Sequence, residues 1–469
     1  MSYFMITISG ILYILPFFNS NLLFLSWIAF IPFLFAIYNT NYKNLFYKAW
    51  LLGFIIISGV GYPLYFPIKS FSNFPFLVVI FILFILFLIL SLIYGLWGKI
   101  LTLIINNKTF NPFIFSISWL FLEIVRHIIF NFFPLGYLGY TQANFNHIIQ
   151  IADLGGLFLV GFIVVLINSL LFKFITSKRK DYLIISILIV GLVLGYGFYQ
   201  INRYEKIEKS LSVGIIHTHI NQYDKWNKNN VNNYIDLLIF NDKQFENVDL
   251  VITPESALTF DMNRETYYRN KMLNRVDETD KYFQAGFLAT KDNGNKYFNS
   301  SYLINTEGKI ENRYNKNKLL LFGEYVIFSD LIKNITGYRL NTLHPGEKII
   351  NFQTSFAHWK AVICSEILYP EYVSKHLNYL DFIVNQSNEA WFEDNTTLKN
   401  QMYASLVFRA IENRRSIIKA GNMTYSGIVY PSGKKVKYDK KTNDKLKVSI
   451  KKNKEITVFN KIMNIFKKI

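Results

Sequence analysis

The sequence predicts a multi-pass α-helical membrane domain followed by an α/β layered domain, and three observations support this prediction. The chain has 469 residues, which is too long for one ordinary domain. Long runs of Phe, Ile, Leu and Tyr dominate residues 1–200, whereas a mixed, charged composition follows Arg203. In this second part, short apolar runs alternate with helical stretches, as in α/β folds. We expect a transmembrane domain at 1–202, a layered domain at 203–450 and a short basic amphipathic tail at 451–469.

Seven apolar segments are candidate membrane spans. They lie at 3–18, 21–38, 50–68, 75–97, 112–131, 155–175 and 182–200. The first segment is the shortest. It lacks the basic start and the small-residue cleavage site of a removable signal peptide, so we interpret it as part of the domain.

Basic residues in the loops predict the orientation of these spans. The loops after the second, fourth and sixth spans hold or border Lys43, Lys48, Lys99, Lys108, Lys173, Lys178, Arg179 and Lys180. The opposite loops hold only Lys69. Because cytoplasmic loops carry the excess of Lys and Arg, seven spans place the N-terminus in the cytoplasm and the layered domain outside it.

Three other features of the membrane part and the tail leave alternatives open. Glu123 and Arg126, in "WLFLEIVRHIIF", are three residues apart on a predicted helix and can pair with each other. The loop 132–156 is rich in Gly, aromatic and amide residues, and either lines a lipid entry site or caps the bundle. The tail "FNKIMNIFKKI" has an apolar helical face, which suits either a membrane surface or docking against the protein. This face comprises Phe459, Ile462, Met463 and Phe466.

The net charge of +18 does not by itself indicate nucleic-acid binding. Much of the excess lies after Lys434, and the sequence shows no zinc-finger spacing and no RNA-binding aromatic motif. Solvated lysines and attraction to anionic lipid are the better interpretation. The sequence likewise shows no metal-binding or nucleotide-binding motif, so we expect no cofactor.

Buried strands are predicted in the second part at "LSVGIIH", "VDLVITPES", "YFQAGFLAT", "SSYLIN", "KAVICSE", "LDFIVNQS", "RSIIKAG" and "SGIVY". Helical stretches are predicted at 228–246 and 396–414. Chemistry in α/β folds is concentrated where strands end. The ends of these strands, and the segment after "ENRYN", are therefore the places to look for reactive side chains.

Reactive groups do occur at these positions. Glu255 follows one strand, Cys364 with Glu366 follows another, and Lys316 precedes Glu324 by eight residues. A thiol, a lysine and a carboxylate can perform acyl transfer: the carboxylate takes the thiol proton, the thiolate attacks a carbonyl, and the lysine stabilises the oxyanion. The ordinary pKa values of a Glu and a thiol lie roughly four units apart, so we expect burial to raise the first and the lysine to lower the second.

Each of these residues also has an ordinary interpretation when it is taken singly. Cys364 can be a small buried hydrophobe, Lys316 a solvated lysine, and Glu255 a residue that caps a turn. One observation favours chemistry at Cys364. It is the only cysteine of the chain, so an exported domain cannot be using it in an internal disulfide.

The sequence resembles the nitrilase superfamily and, within it, the membrane-embedded apolipoprotein N-acyltransferases. The resemblance rests on "TPES", "RYNKNKLLLFGEY", "ICSEILYP" and "NEAWF" in the second part, and on "SWLFLEIVR", "GYTQAN" and "IIQIADLGG" in the first. It covers essentially the whole chain, and "NRYNKNKLLLFGEY" is its most specific motif. The resemblance implies that the layered domain is an αββα sandwich with a Glu-Lys-Cys triad.

Carried over by resemblance, Glu255 is the general base, Lys316 the oxyanion-stabilising lysine and Cys364 the nucleophile. The resemblance further implies that Glu324 supports the lysine and the acyl intermediate, and that Glu366 is important for activity. The substrate side is implied to comprise Trp226, Asn299 and Trp391.

The chain departs from the pattern of the family at several positions. Ser365 replaces a tyrosine after the cysteine, Leu321 replaces a proline before "FGE", and Leu398 replaces a proline after "AWF". The tryptophan that usually follows the external proline is replaced around "FPLGY". A short basic tail stands where the family has a final transmembrane helix.

The resemblance implies an enzyme of the bacterial cytoplasmic membrane whose catalytic domain faces the extracytoplasmic side. It would transfer a fatty acyl chain from a phospholipid, by resemblance phosphatidylethanolamine, to the α-amine of diacylglyceryl-modified apolipoproteins. Its partners would therefore be lipids and lipoproteins, and not nucleic acid. Two alternatives stay open from the sequence: a membrane-anchored amidase or acyl-transfer enzyme with another substrate, and a non-catalytic lipid or lipoprotein binder.

Overall fold

The computed structural model describes residues 1–39, 43–72, 74–104, 110–239, 243–290, 296–320, 324–325, 343–393 and 395–466. Leu321 and the last three residues of the predicted tail lie outside this described part. The chain divides into two compact units. The first comprises Met1–Arg203, Asn395–Glu412 and Thr457–Ile462, and the second comprises Tyr204–Asp394, Asn413–Ile456 and Met463–Ile469.

The described α-helices follow one another along the chain, with short 3-10 turns between some of them. They are α1 (Ser2–Phe18), α2 (Ile31–Tyr38), α3 (Leu45–Gly61), α4 (Tyr65–Ser72), α5 (Phe76–Ile104), α6 (Pro112–Ile129), α7 (Asn146–Ile149), α8 (Ala152–Ser177), α9 (Lys180–Glu205), α10 (Gln222–Lys225), α11 (Val231–Leu238), α12 (Thr266–Asp277), α13 (Pro370–Val373), α14 (Thr396–Asn413) and α15 (Val458–Phe466).

Helices long and apolar enough to cross a membrane make up most of the first unit. Within the described residues there are six, at Ser20–Tyr38, Leu45–Ser70, Phe76–Leu103, Pro112–Ile129, Ala152–Ser177 and Lys180–Glu205. They coincide with the last six predicted spans. The first predicted span corresponds to α1, an apolar helix of 17 residues that is shorter than the others.

Trp119 lies at the centre of the aromatic packing in the first unit. This residue of α6 is fully buried, and its ring centroid lies 4.6 Å from that of Phe30 and 5.4 Å from that of Trp97. Tyr13 and Tyr94 pack at 6.0 Å and 5.9 Å. Large aromatic rings from α1, α5 and one connecting turn therefore fix α6 in the unit, and α6 carries the buried charges.

Glu123 and Arg126 do not form the direct pair that their spacing allowed. Within the described part of the chain, each side chain binds the backbone of the segment after α6. Glu123 Oε1 accepts a hydrogen bond from the N–H of Leu138 at 2.9 Å, and Arg126 Nη1 donates to the carbonyl of Leu135 at 3.0 Å. The Arg126 guanidinium also lies 4.2 Å from the centroid of the Tyr137 ring. Residues 133–143 are consequently buried within the first unit.

Two later stretches of the chain also belong to the first unit. In α14, the buried pair Arg409 and Glu412 lies at 2.9 Å, and Glu412 accepts a hydrogen bond from the N–H of Leu157 at 2.9 Å. That N–H is available because α8 breaks at Gly156, whose φ is +70°. A Cβ at Gly156 would lie 2.6 Å from the ring of Phe459, so α15 begins packed against this break.

The described strands belong to the second unit. They are β1 (Leu211–His217), β2 (Leu250–Ile252), β3 (Leu258–Asp261), β4 (Tyr282–Thr290), β5 (Tyr297–Ile304), β6 (Ile310–Asn315), β7 (Asn351–Gln353), β8 (His358–Ile363), β9 (Phe382–Asn388), β10 (Ser416–Asn422), β11 (Ser426–Val429), β12 (Lys435–Tyr438) and β13 (Asp444–Ile450).

These strands form two sheets. The first has the order β13-β1-β2-β4-β5-β6, with β3 also paired to β4, and the second has the order β12-β11-β10-β9-β8-β7. The helices α11 and α12 pack on the first sheet through a core that includes Ile235, Met272 and Phe283. Strands β1, β2 and β4 run parallel, as do β8, β9 and β10, so their carboxyl ends meet at one edge of each sheet.

Buried polar side chains join the two sheets. Gln284 of β4 donates to Gln386 of β9 at 3.1 Å and accepts from the indole of Trp359 of β8 at 2.8 Å. Gln386 in turn donates to the carbonyl of Thr253 at 2.8 Å. Because buried polar groups need partners, these contacts fix how the sheets face each other. The predicted fold class, a helical membrane part and an α/β sandwich, is confirmed.

Candidate active site

Three side chains predicted to be reactive lie at the ends of strands from both sheets. Glu255 follows β2 and Lys316 follows β6 of the first sheet, whereas Cys364 follows β8 of the second. They are 6%, 1% and 7% exposed. Lys316 is therefore not the solvated lysine that its position among other lysines suggested. Its ammonium interacts electrostatically with both Glu255 and Cys364.

Lys316 is held by two carboxylates. Its Nζ lies 2.7 Å from Glu324 Oε2 and 3.8 Å from Glu255 Oε1. Glu324 is oriented in turn by the backbone N–H of Leu320, which donates to Oε2 at 2.9 Å. Burial opposes the charge of Lys316, but the two carboxylates outweigh it and raise the pKa of the ammonium. Lys316 is thus a fixed positive charge.

Both oxygens of Glu255 accept hydrogen bonds. Asn299 Nδ2 donates to Oε1 at 2.7 Å, and the backbone N–H of Asn388 donates to Oε2 at 2.6 Å. Asn299 also donates to Glu324 at 3.2 Å, while its own Oδ1 accepts from the Ser256 hydroxyl at 3.3 Å. Asn299 therefore holds the two carboxylates together on the lysine.

Cys364 has an unusual backbone conformation. Its φ is +50°, in the left-handed region, and it opens a short 3-10 turn that runs to Leu368. Asn385 Nδ2 donates to the Cys364 carbonyl at 3.2 Å, and the Ser387 hydroxyl lies 3.7 Å from Sγ. Strained conformations of this kind persist where neighbouring contacts impose them, and they are common at functional sites.

Burial raises the pKa values of both partners in the expected proton transfer. The pKa of Glu255 is raised because burial outweighs the nearby Lys316. The pKa of the Cys364 thiol is also raised, first by burial and then by the charge of Glu255. Lys316 lowers the thiol pKa, as expected, but its ammonium offsets only part of the desolvation, so the net pKa of Cys364 lies above its ordinary value. A raised pKa makes the Glu255 carboxylate a stronger base than an ordinary glutamate.

Glu366 binds the backbone on either side of the site through its carboxylate. Its carboxylate accepts hydrogen bonds from the N–H groups of Ile363 (2.8 Å), Asn317 (2.7 Å) and Lys318 (3.0 Å). The Tyr314 hydroxyl donates to it at 2.7 Å. Burial is also the main cause of the raised pKa of this carboxyl group. Glu366 therefore ties the segment of Lys316 to that of Cys364.

The two predicted tryptophans lie less centrally than the triad. Trp226 is 43% exposed, and its indole donates to Gln222 at 3.1 Å. Trp391 is partly exposed in a 3-10 turn that begins two residues after Asn388.

Two of the positions that depart from the family pattern are described. Ser365 is buried and its hydroxyl has no hydrogen-bond partner among the described residues, whereas Leu398 is buried in α14 of the first unit.

Sequence reasoning missed several residues beside the triad. Glu389 and Lys419 form a buried ion pair next to Ser387, which donates to Glu389 at 2.9 Å. Lys225 is buried beneath Glu255 and donates to its backbone carbonyl at 3.1 Å. The sequence did not indicate that these lysines are buried, because most lysines of a basic chain are solvated.

Within the described residues, no group of His, Cys, Asp or Glu is arranged to hold a metal ion.

This arrangement suits acyl transfer. A nucleophile, a carboxylate that can take its proton, and a fixed cation that can stabilise an oxyanion meet in a water-poor site. Hydrogen bonds from Asn299 to Glu255, and from the backbone next to Lys316 to Glu366, hold these three groups in place.

Comparison with known proteins agrees with this architecture. The family model described as the apolipoprotein N-acyltransferase N-terminal domain matches residues 9–170, and the model described as carbon-nitrogen hydrolase matches residues 217–443. The apolipoprotein N-acyltransferase of Geobacter metallireducens is 26% identical over 456 residues, which cover 92% of this chain and 85% of the relative. That of Aquifex aeolicus is 29% identical over 437 residues, which cover 92% and 94%.

Among solved structures, an amidase from Nesterenkonia sp. AN1 is 14% identical, with a TM-score of 0.41, and covers 51% of this chain and 90% of the amidase. The sequence relatives carry the assignment, because they align with both units of the chain along nearly its whole length. The resemblance seen in the motifs is confirmed, and the chain belongs to the apolipoprotein N-acyltransferase family.

Proposed function

We propose that this enzyme transfers a fatty acyl chain from a phospholipid to the N-terminal α-amine of lipoproteins whose first cysteine carries diacylglycerol. The name of its relatives and the two matching family models support this reaction. The observation that carries the proposal is the cluster at the strand ends, where Lys316 lies 3.8 Å from Glu255 and interacts electrostatically with Cys364. The acyl chain is carried between the substrates as a thioester on Cys364.

In the first half-reaction, the Cys364 thiol passes its proton to Glu255 as the sulfur attacks the ester carbonyl of the phospholipid. The carbonyl oxygen becomes an oxyanion, which Lys316 stabilises. The intermediate collapses, the C–O bond breaks, and Glu255 returns the proton to the leaving alkoxide. The products are a lysophospholipid and the thioester.

In the second half-reaction, the neutral α-amine of the lipoprotein attacks the thioester. An α-amine titrates near pH ~8, so a usable neutral fraction exists at neutral pH. Glu255 accepts the excess proton of the nitrogen, the C–S bond breaks, and the proton passes to the departing thiolate. An amide forms and the thiol is restored. Burial of Cys364 spares the thioester from water between the two steps.

The neighbouring residues act on the triad in this proposal. Glu324 holds Lys316 in position, Asn299 holds Glu255 beside it, and Glu366 fixes the segments that carry Lys316 and Cys364. Trp226 and Trp391 contact the substrate. The domain boundaries at 202 and 450 remain part of the proposal, although the compact units draw the segments 395–412 and 457–462 into the membrane part.

The protein is a multi-pass membrane protein by the length and composition of its helices. We place it in the bacterial cytoplasmic membrane with the catalytic unit on the extracytoplasmic side, where the acceptor lipoproteins are exposed. The distribution of basic loop residues supports this orientation. Phosphatidylethanolamine is the proposed acyl donor.

The experiment that tests the proposal is the intact mass of the protein after incubation with phosphatidylethanolamine vesicles and no acceptor, before and after neutral hydroxylamine. Hydroxylamine cleaves thioesters and spares amides. Because Cys364 is the only cysteine, a fatty-acyl mass that hydroxylamine removes can lie on no other thiol. Cys364→Ala should show no such mass, and adding a diacylglyceryl peptide with a free α-amine should discharge the wild-type adduct.

Phosphatidylglycerol vesicles test the donor separately. An adduct of equal rate from both lipids would overturn the assignment of phosphatidylethanolamine but leave the reaction intact. A wild-type protein that never acquires the acyl mass, or a Cys364→Ala protein that still acylates the peptide at the normal rate, would refute the thioester mechanism.

A further inference from the structure

Lys225 is a buried lysine beside the reaction centre that the mechanism above does not use. It is the last residue of α10, is 2% exposed, and donates from Nζ to the backbone carbonyl of Glu255 at 3.1 Å. Within the described residues, this neutral carbonyl is its hydrogen-bond partner, and no carboxylate forms an ion pair with it. A buried charge without a directly paired opposite charge costs free energy, so the presence of a lysine at this position needs an explanation.

The charges of the site supply that reason. Lys316 contacts two carboxylates, those of Glu255 and Glu324, so one negative charge is left over if both are ionised. The adjacent carboxylate of Glu389 is already neutralised by Lys419. Lys225 interacts electrostatically with both Glu255 and Cys364, and its positive charge, with that of Lys316, balances the two carboxylates that Lys316 contacts.

We infer that Lys225 is a positioning residue that keeps Glu255 ionised at neutral pH, and so sets the pH range in which Glu255 can take the proton of Cys364. The inference rests on the proposed function, because it concerns the base of that reaction. Lys225 touches no reacting atom and acts through Glu255.

The physical argument is one of charge. Burial and Glu324 both favour the protonated form of Glu255, whereas Lys316, Asn299 and Lys225 favour the carboxylate. Removing the Lys225 charge leaves two carboxylates sharing one ammonium, so the second should ionise at higher pH. Burial itself lowers the pKa of Lys225 to about 8, so the ammonium form still predominates at neutral pH.

The test compares three substitutions in the full-length protein. Lys225→Met removes the charge and the hydrogen bond, Lys225→Gln removes the charge but keeps a donor, and Lys225→Arg keeps the charge. Lys228→Met is the matched control, since its side chain is 86% exposed three residues away. The rate of acyl-enzyme formation from phosphatidylethanolamine vesicles is measured by intact mass between about pH 5 and about pH 10.

The acidic limb of the rate profile should move upward by about one pH unit in Lys225→Met and Lys225→Gln. Both variants should then form the acyl-enzyme about tenfold more slowly than wild type near pH ~6. Above pH ~8 their rates should lie within about threefold of the wild-type rate. Lys225→Arg and Lys228→Met should keep the wild-type limb. Two results would overturn the inference in favour of a merely structural contact. One is a uniform fall in rate with no change in the pH of the acidic limb. The other is an acidic limb that moves in Lys225→Met but stays at the wild-type pH in Lys225→Gln.

A second measurement does not depend on lipid acylation. The rate of Cys364 alkylation by iodoacetamide, at fixed pH near ~7, should fall about tenfold in Lys225→Met and Lys225→Gln, and not in Lys225→Arg, because the cation also favours the thiolate. An unchanged alkylation rate in folded Lys225→Gln would refute the role of Lys225 even if Lys225→Met did not fold. If wild type is alkylated in this way but never forms an acyl-enzyme, the proposed function fails and the inference about Lys225 stands.

Discussion

The carboxylate of Glu366 accepts a hydrogen bond from the backbone N–H of Asn317 at 2.7 Å, across 49 residues of sequence. Asn317 directly follows Lys316, and Glu366 lies two residues after Cys364. One buried side chain therefore connects the backbone segment of Lys316 to that of Cys364, the cation and the nucleophile of the proposed reaction. This relationship explains how a residue that binds backbone N–H groups can matter to the reaction.

We expect Glu366→Gln to impair both stability and acyl transfer. The amide keeps one acceptor oxygen but turns an N–H toward backbone donors, which leaves buried groups unpaired at a cost of about 1–3 kcal/mol. The thermal midpoint should fall and acyl-enzyme formation should slow about tenfold or more. Glu307→Gln is the control, because its side chain is 64% exposed and pairs only at the surface with Lys309. Wild-type rates in Glu366→Gln would contradict the role of this carboxylate.

Glu255→Gln should abolish most of the activity while leaving the fold intact. Glutamine keeps one acceptor oxygen, but its NH2 group faces a donor, either Asn299 or the N–H of Asn388, and it cannot accept the Cys364 proton. General-base catalysis contributes about 10²–10⁴-fold, so acyl-enzyme formation should slow by about that factor. Intact-mass kinetics measure the rate, and a thermal midpoint no lower than that of Glu366→Gln serves as the control for folding. A loss of less than about threefold would mean that another group takes the proton.

The pH dependence of acylation follows from the raised pKa of Glu255. The reaction needs the carboxylate, so the rate should fall as pH drops through a value above the ordinary range of a glutamate. Asn299→Ala removes the 2.7 Å hydrogen bond that favours the ionised form, which should move this acidic limb further upward. An acidic limb at the ordinary glutamate pKa in the wild-type protein would show that Glu255 is not the titrating base.

The break in α8 provides a test in the first unit. Gly156→Ala places a side chain at φ +70° and within 2.6 Å of the Phe459 ring, so we expect a loss of about 1–3 kcal/mol in the free energy of unfolding. Gly191→Ala is the matched control in α9, since nothing lies within 4 Å of its added Cβ. Alanine is the better helix former there, so this change should be neutral or slightly stabilising. Equal thermal midpoints for the two variants would contradict the packing of α15 against the break.

The sequence predicted best those elements whose apolar runs are continuous. Strands β1 and β4 match the predicted runs residue for residue, because both are buried in the interior of a sheet. Strands β12 and β13 were missed, since they carry several lysines and occupy the edges of the two sheets. The predicted helix 228–246 is a shorter α11 flanked by 3-10 turns, and α12 was not predicted.

The sequence predicted which side chains lie together, and that burial raises the pKa of Glu255, but not that the net pKa of the thiol is raised. Motif order located Glu255, Lys316 and Cys364, which the structure brings together. Burial of the thiol, and hence its raised pKa, depends on packing between strands far apart in the chain, so no local pattern revealed it. The same holds for Lys225, whose burial cannot be inferred from its neighbours in a lysine-rich sequence.

The return of the chain to the first unit at Asn395 and again at Thr457 constrains how such proteins can be recombined. A gene fragment that starts at Tyr204 would encode the fully buried pair of Arg409 and Glu412 without the α8 backbone that Glu412 binds. Chimeras between family members that join at a single crossover near residue 203 would therefore mismatch helix α14 with its surroundings. A working exchange would have to transplant 1–203, 395–412 and 457–462 as one set, so these three segments should change together when family members diverge.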